Sequence, residues 1–316
     1  MSKVRVCFLG TPEFAVTSLR ALIKDEHFEI VGVVTQPDRP SGRKMQLTPS
    51  PVKILALECG LRVISPESLK KDPSQLDEIK KWGAEVAVVV AFGQILTQAF
   101  LDLFPFGAVN VHGSILPRWR GAAPIQRGIE AGDIESGVTL QRVVKKLDAG
   151  DIIGIRKVAL DDKITALELH DQLAVLGADL LQVELMDFMR GNLAPHPQDE
   201  SLVTHAAKID KAESEIRWNS SSVSIHNKIR ALTMGPGTFT TYAGKKVKIH
   251  KTRVQDKTGS HSEPGTITDV TDEAISVECG IGILNLLELQ PESRTRMKVA
   301  EFLKGHPLKK GDRFGV

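Results

Sequence analysis

Asn110-Val111-His112-Gly113-Ser114-Ile115-Leu116-Pro117-Arg118-Trp119-Arg120-Gly121-Ala122-Ala123-Pro124 is the stretch on which the reading of this 316-residue chain turns. Ala108, Val109 and Val111 make a short apolar alternation that predicts a buried strand. Residues two apart in a strand share a face, so the Asn110 amide and the His112 imidazole stand one pleat apart on the same side. Gly113 ends the strand, and Pro117, Gly121 and Pro124 keep the following residues irregular. An amide and an imidazole thus leave a strand end together and enter a stiff loop. In open α/β sheets, ligands bind at that end of the strands. Taken singly, His112 reads as a satisfied core histidine and Asn110 as a strand-end residue bonded to local backbone. Their shared face and the restrained loop shift the pair toward a site.

Working outward, Glu85 to Phe92 (Glu-Val-Ala-Val-Val-Val-Ala-Phe) is the most apolar run, as expected of a central strand covered on both faces. Val4 to Leu9, Glu29 to Thr35 and Arg62 to Ile64 supply further strands. Gly10-Thr11-Pro12 turns the first strand into a helix, with Thr11 as its expected cap and Pro12 at its first position. Ser50-Pro51 starts a second helix, and Thr97 to Leu103 and Pro124 to Ala131 are also helical. Ser136 to Val143 and Asp151 to Leu160 read as a strand pair around Asp148-Ala149-Gly150, which puts Asp148 in a loop. Strand and helix alternate, so the expected fold is α/β, with a doubly wound, largely parallel Rossmann-like sheet. The turn Gly10-Thr11-Pro12-Glu13 lacks the three-glycine fingerprint. Pro12 removes a donor there and Glu13 adds repulsion, which excludes a dinucleotide or ATP at that turn.

Thr165 to Arg190 predicts a long helix whose leucines pack a core, ended by Gly191. Residues 196–209 read as a linker between a domain at 1–195 and another at 210–316. Ser221 to Leu232 is helical. Five strand-like runs then follow (Thr238–Tyr242, Lys246–Arg253, Gly265–Val270, Ala274–Glu278 and Gly282–Leu289), which point to a smaller, OB-like β-barrel. From Asp210 onward there are 17 Lys and Arg against 13 Asp and Glu, and 24 against 26 before it, so the second half is the basic one. Lys246 and Lys248 share a strand face beside Lys245, a stripe suited to phosphates, although edge strands also use lysine to block aggregation. With only Phe239 and Tyr242 nearby, backbone tracking is expected rather than base stacking. The connection Gln36 to Ser50 is long and rich in Pro, Gly and basic residues. Its Arg39, Arg43 and Lys44 either grip phosphates or belong to a solvated loop. Cys7, Cys59 and Cys279 are scattered and show no zinc or disulfide spacing, so no metal is expected and a reducing, cytoplasmic location fits. There is no signal pattern and no membrane-spanning apolar run.

The string His112 to Pro124, together with Lys146-Leu147-Asp148-Ala149-Gly150-Asp151 and the opening Phe8-Leu9-Gly10-Thr11-Pro12-Glu13-Phe14-Ala15, resembles the 10-formyltetrahydrofolate-dependent formyltransferases. The resemblance covers nearly the whole chain and is densest before Asp151. It implies 10-formyltetrahydrofolate as co-substrate and, from the opening, methionyl initiator tRNA as acceptor. The α-amino group would attack the formyl carbon directly, without a formyl-enzyme, through a tetrahedral intermediate. Asn110 would then donate to the oxyanion, His112 would move the proton, and Asp148 would orient the ring and stabilise its charged form. Ser114, Ile115, Leu116 and Pro117 would hold the folate, with Phe92 and Gly93 lining the crevice and Gly10, Thr11 and Phe14 near its entrance. The basic connection would enter the tRNA acceptor stem, with Arg43 the leading contact. Two departures stand out: Ile115 where the family usually has Leu, and Met234-Gly235-Pro236-Gly237 in place of a Trp-Pro-Gly-like turn. Arg118, Trp119 and Arg120 are left among the folate tail, tRNA phosphate and a charged rim. Two other readings stay open, a formyltransferase or hydrolase for small molecules and a tRNA-binding module with a decayed site. The basic second half argues against the first, and the intact Asn110, His112 and Asp148 against the second. A monomer is expected.

Overall fold

The computed structural model describes residues 3–41, 45–259 and 262–315. In chain order the first part holds β1 (Val4–Gly10), α1 (Glu13–Lys24), β2 (Phe28–Val34), a hairpin of β3 (Arg39–Ser41) and β4 (Gln46–Thr48), α2 (Pro51–Glu58), β5 (Val63–Ile64), α3 (Pro73–Lys81), β6 (Val86–Val90), α4 (Gln98–Leu101) and β7 (Ala108–His112). It continues with β8 (Arg120–Gly121), α5 (Pro124–Ala131), β9 (Glu135–Arg142), β10 (Ile152–Ala159), the long α6 (Ala166–Met189) and β11 (His205–Ala206).

Seven of these strands form one sheet in the order β10-β9-β7-β6-β1-β2-β5. From β5 to β7 every pairing is parallel, and β9 joins β7 antiparallel. The fold is therefore the expected doubly wound, largely parallel α/β sheet. All five residues of β6 are buried, as an unbroken valine-rich run requires of a strand with both faces covered. Strand order reverses between β1 and β6, and the crevice for ligands in such sheets lies outside the C-terminal ends of the strands at that point. Gly10 ends β1 there. A Cβ on it would lie 2.7 Å from Ala15 Cβ and 3.0 Å from the Val90 carbonyl, so glycine lets α1 pack tightly against the strand ends.

Several local expectations change. Thr11 does not cap α1. Pro12 occupies the cap position without a side-chain bond, and the Thr11 hydroxyl donates instead to the Phe92 carbonyl at 3.1 Å. The polar sequence of α3 hides its helical character, because only Leu76 and Ile79, with Trp82 just beyond, turn toward the core. The long connection after β2 is a hairpin rather than an irregular loop, pairing Arg39 with Thr48 and Ser41 with Gln46. Arg43 and Lys44 lie outside the described residues.

The later part contains α7 (Ser222–Ala231), β12 (Thr238–Tyr242), β13 (Lys245–Asp256), β14 (Ile267–Val270), β15 (Ile275–Glu278), β16 (Ile283–Pro291), β17 (Met297–Lys298) and α8 (Val299–Gly305). Its strands pair antiparallel in the order β12-β13-β16-β15-β14, with β17 on β16. Three register irregularities bend β13 where it crosses β16. Its alternation sends Val247 and Ile249 into a core with Leu284, Leu286, Leu289 and Phe302, while Lys246 and Lys248 face solvent. Trp218 closes one end, stacking on Phe314 at 6.0 Å and donating to Thr240 Oγ1 at 2.9 Å.

By compactness the chain forms two units that interleave in sequence. One is Met1–Gly121, Glu135–Val158 and His170–His205, and the other is Ala122–Ile134, Ala159–Leu169 and Ala206–Val316. Within the second unit, Arg127 of α5 grips Glu130 at 2.7 Å and both carboxylate oxygens of Glu213, at 2.7 and 3.0 Å. That fork holds the Glu213 carboxyl at about 2, against an ordinary 4.5. A carboxylate depressed on folding contributes stability that is complete above its unfolded value and is lost as pH falls toward the folded one. Acid unfolding of Glu213→Gln, followed by circular dichroism, should therefore depend less steeply on pH between 4.5 and 2 than that of the unaltered chain.

Candidate active site

His112 is the last residue of β7, directly across from Thr139 of β9, and Asn110 lies across from Gln141. The His112 ring is buried, and its Nε2 stands 2.9 Å from the Trp119 carbonyl. A carbonyl can only accept, so Nε2 carries the hydrogen and donates it. Nδ1 lies 3.7 Å from Asp148 Oδ2, within ion-pair range but beyond a hydrogen bond. The bond that fixes the ring thus comes from the loop backbone, a partner the sequence does not signal. Asp148 faces the other ring nitrogen as a charge. Asn110 is half-buried, and no hydrogen bond engages its side-chain amide among the described residues.

The loop after β7 is built by its own polar groups. Ser114 donates through Oγ to the Arg118 carbonyl at 2.7 Å. Thr139 Oγ1 donates to the Ser114 carbonyl at 2.7 Å and accepts from the Leu116 N–H at 3.1 Å. Leu116 is buried, Ile115 and Pro117 are half-buried, and Trp119 has φ 65°. On the neighbouring strand the Phe92 carbonyl is held by Thr11 Oγ1 and by Gln36 Nε2, both at 3.1 Å, which draws the ends of β1, β2 and β6 together beside Gly93.

Asp148 adopts φ 48°, a left-handed conformation uncommon outside glycine. Its carboxylate accepts from the Gly121 N–H at 2.9 Å and from Gln141 Nε2 at 3.1 Å. Gln198 Nε2 donates to the Asp148 carbonyl at 2.9 Å and to the Gly150 carbonyl at 2.7 Å. Gln141, Gln198 and Thr139 go unnoticed in the sequence. Gln141 and Thr139 alternate within an ordinary strand, and Gln198 sits in a connector with no period. Arg120 is also buried and points away from any rim, while Arg118 is exposed and lies over the Trp119 ring at 4.4 Å.

The structure thus brings Asn110, His112, Ser114, Leu116 and Asp148 into one cluster in the first unit. The described lysines and arginines of the hairpin and of β13 are exposed. Arg39 is exposed on the hairpin and pairs with Glu67 at 3.1 Å. Lys245, Lys246 and Lys248 are exposed on β13 of the second unit. The Lys246 ammonium covers the Phe239 ring at 3.7 Å, and the Tyr242 hydroxyl donates to Asp312. The Phe239 face is thus covered, and the Tyr242 ring packs partly buried against the core with Phe314 edge-on to it. Among the described residues no group of three His, Cys, Asp or Glu is placed to hold a metal, and no helix is long and apolar enough to cross a membrane.

A doubly wound sheet ending in this Asn, His and Asp cluster, followed by an antiparallel sheet, places the chain in a defined class. The family model "Formyl transferase" matches residues 3–184, and "Formyl transferase, C-terminal domain" matches 208–307, so the chain belongs to the formyl transferase family. More particularly, it is 69% identical over its full length to the methionyl-tRNA formyltransferase of Bdellovibrio bacteriovorus, itself covered in full. It is 45% identical, over 99% of this chain and 100% of the relative, to the methionyl-tRNA formyltransferase of Methylococcus capsulatus. Two solved structures share the fold. A sugar 3N-formyltransferase in the presence of dTDP and 5-N-formyl-THF has TM-score 0.67 and 20% identity, over 93% of this chain and 100% of that one. An N-formyltransferase from Helicobacter canadensis with folinic acid and dTDP-3-aminofucose has TM-score 0.68 and 19% identity, over 91% and 99%.

The Asp148 loop closes tightly on β9, because a Cβ on Gly150 would lie 1.8 Å from the Arg142 carbonyl. Gly150→Ala must therefore push the loop outward. If Asp148 takes part in the chemistry, turnover should fall on the order of 100-fold, the loss that a misplacement of about 1 Å can cause. Steady-state kinetics check this, with circular dichroism confirming that the sheet is intact.

Proposed function

We propose that this chain, acting as a monomer in the cytoplasm, transfers the formyl group of 10-formyltetrahydrofolate to the α-amino group of methionyl initiator tRNA for translation initiation. The activity rests on full-length similarity to proteins named for it.

The single observation carrying the mechanism is the hydrogen bond from His112 Nε2 to the Trp119 carbonyl. The carbonyl has no proton to give, so proton traffic falls to Nδ1. The amine nitrogen attacks the formyl carbon, and the carbonyl electron pair moves onto oxygen. Asn110, whose amide is unspent, donates to that oxyanion in a partly buried setting where such a donor is strongest. Nδ1 of His112 takes the proton the nucleophilic nitrogen must lose. The ring is then an imidazolium facing the Asp148 carboxylate, which stabilises it. As the intermediate collapses, the oxyanion pair re-forms the carbonyl, the bond to N10 breaks, and N10 takes the proton held on Nδ1 of His112, which returns the ring to its neutral form. Ser114 contributes loop structure, since its hydroxyl is committed to the Arg118 carbonyl, and this favours direct transfer over a formyl-enzyme. The half-buried Ile115 and Pro117 offer the folate apolar surface, while Leu116 and Phe92, whose side chains are buried, and Gly93 offer it fixed backbone.

We assign the chemistry to the first unit and the grip on tRNA to Arg39, Arg43 and Lys44 of the hairpin connection and to Lys245, Lys246 and Lys248 of β13. With Lys246 lying on Phe239, the second unit offers charge rather than stacking, which suits phosphate tracking. Incubation with formyl donor and charged initiator tRNA should give formyl-methionyl-tRNA, whereas uncharged tRNA and small amines should give no product. Asn110→Ala should lower turnover by roughly 10²- to 10³-fold with tRNA binding intact, as loss of one oxyanion donor does. Charge reversal at Lys246 and Lys248 should raise the KM for tRNA, leave folate affinity unchanged and flatten the salt dependence of tRNA binding.

A further inference from the structure

Arg120 is almost fully buried, and its side chain turns inward. Its Nε and Nη2 both donate to Gln198 Oε1, at 3.0 and 2.8 Å, and Nη2 also donates to Glu200 Oε1 at 2.8 Å. The amide nitrogen of Gln198 faces the other way. It donates to the backbone carbonyls of Asp148 and Gly150 and to Gln141 Oε1 at 3.2 Å. Glu200 Oε2 in turn takes Lys146 Nζ at 2.6 Å, two residues before Asp148. The circuit therefore begins and ends on the loop that carries Asp148. Gly121, the residue after Arg120, supplies a backbone N–H to the Asp148 carboxylate.

Three features separate this circuit from ordinary packing. It grips the loop by main-chain carbonyls, so it acts on the loop's path whatever side chains the loop carries. It grips them at a residue in a left-handed conformation, which stays there only where its surroundings hold it. And Arg120 ties back to that loop by two routes, through Gln198 to the Gly150 carbonyl and through Glu200 to Lys146.

We propose that Arg120 and Gln198 are positioning residues that clamp the Asp148 loop, so that the carboxylate stands opposite Nδ1 of His112. The proposal rests on the catalytic reading of Asp148. Gln198 is the relay. Its oxygen is fixed by the planar fork of Arg120, which leaves its nitrogen aimed at the loop. Lysine cannot replace that fork, because a point charge does not set the orientation of an amide.

The informative variant is Gln198→Glu. It keeps an acceptor for Arg120 and so retains the internal pairing, but it has no donor for the two loop carbonyls. Formylation of charged initiator tRNA would be followed with Gln198→Glu and Arg120→Lys, each alone and combined with Asp148→Asn, in the steady state, which gives KM, and under single-turnover conditions with enzyme in excess. Thermal unfolding reports whether each variant folds, and Arg120→Lys carries the test if Gln198→Glu does not. The clamp predicts turnover lower on the order of 100-fold in both single variants, with the KM for formyl donor and for tRNA unchanged. It also predicts almost no further loss when either is added to Asp148→Asn, since both act through that residue. Unaltered turnover in Gln198→Glu would overturn the clamp, as would equal fold losses with and without Asp148→Asn, or a rise in KM alone. Absence of any transfer by the unaltered chain would overturn the functional reading beneath it.

Discussion

The hydrogen bond from His112 Nε2 to the carbonyl of Trp119 is the constraint on which the site depends. It joins the last residue of a sheet strand to the loop that leaves it, seven positions later. It also chooses the working nitrogen, because one side of the imidazole is spent on a group that only accepts. A histidine with both nitrogens free can present either tautomer. Here the backbone has made the choice, and the remaining nitrogen faces a carboxylate. The left-handed backbone of Trp119 belongs to the same device, since it brings the carbonyl round to the ring.

Around that bond the buried polar groups satisfy one another. Thr139 closes the loop after β7 from the neighbouring strand, and Gln141 and Gly121 hold the Asp148 carboxylate. Gln198 and Arg120 are buried with them. A half-paired cluster of this kind would be costly in a low-dielectric interior, whereas a paired one is stiff. Stiffness suits the proposed reaction, in which an oxyanion donor and a proton acceptor are both in place before charge develops. Two groups stand apart: Arg120 Nη1, buried without a partner among the described residues, and the half-buried Asn110, whose amide is unengaged and is thus available to a reacting oxygen.

Much of this was legible in the sequence where a residue's chemistry and its period coincide. The valine run of β6 could only be a covered central strand, and Asn110 with His112 had to share a face. Alternation in β13 separated Val247 and Ile249 from Lys246 and Lys248 correctly. What stayed hidden depends on the backbone or on distant chain. The partner of His112 is a main-chain carbonyl, which any residue at position 119 would supply. Gln198 sits far along the chain, in a stretch that reads as linker, and only folding brings it to Asp148. Thr11 was a reasonable cap, but α1 starts one residue later, so Pro12 stands at the cap position and the Thr11 hydroxyl donates to the Phe92 carbonyl. The interleaving of the two units had no local signal either, because nothing in the sequence of Ala122–Ile134 or Ala159–Leu169 marks them as belonging with the later part of the chain.

The most direct measurement is nitrogen NMR of protein labelled in its imidazole rings, with the His112 resonances assigned by their loss in His112→Asn. The account predicts that neutral His112 carries its hydrogen on Nε2, with Nδ1 bare. A neutral ring protonated on Nδ1, with Nε2 bare, would contradict it.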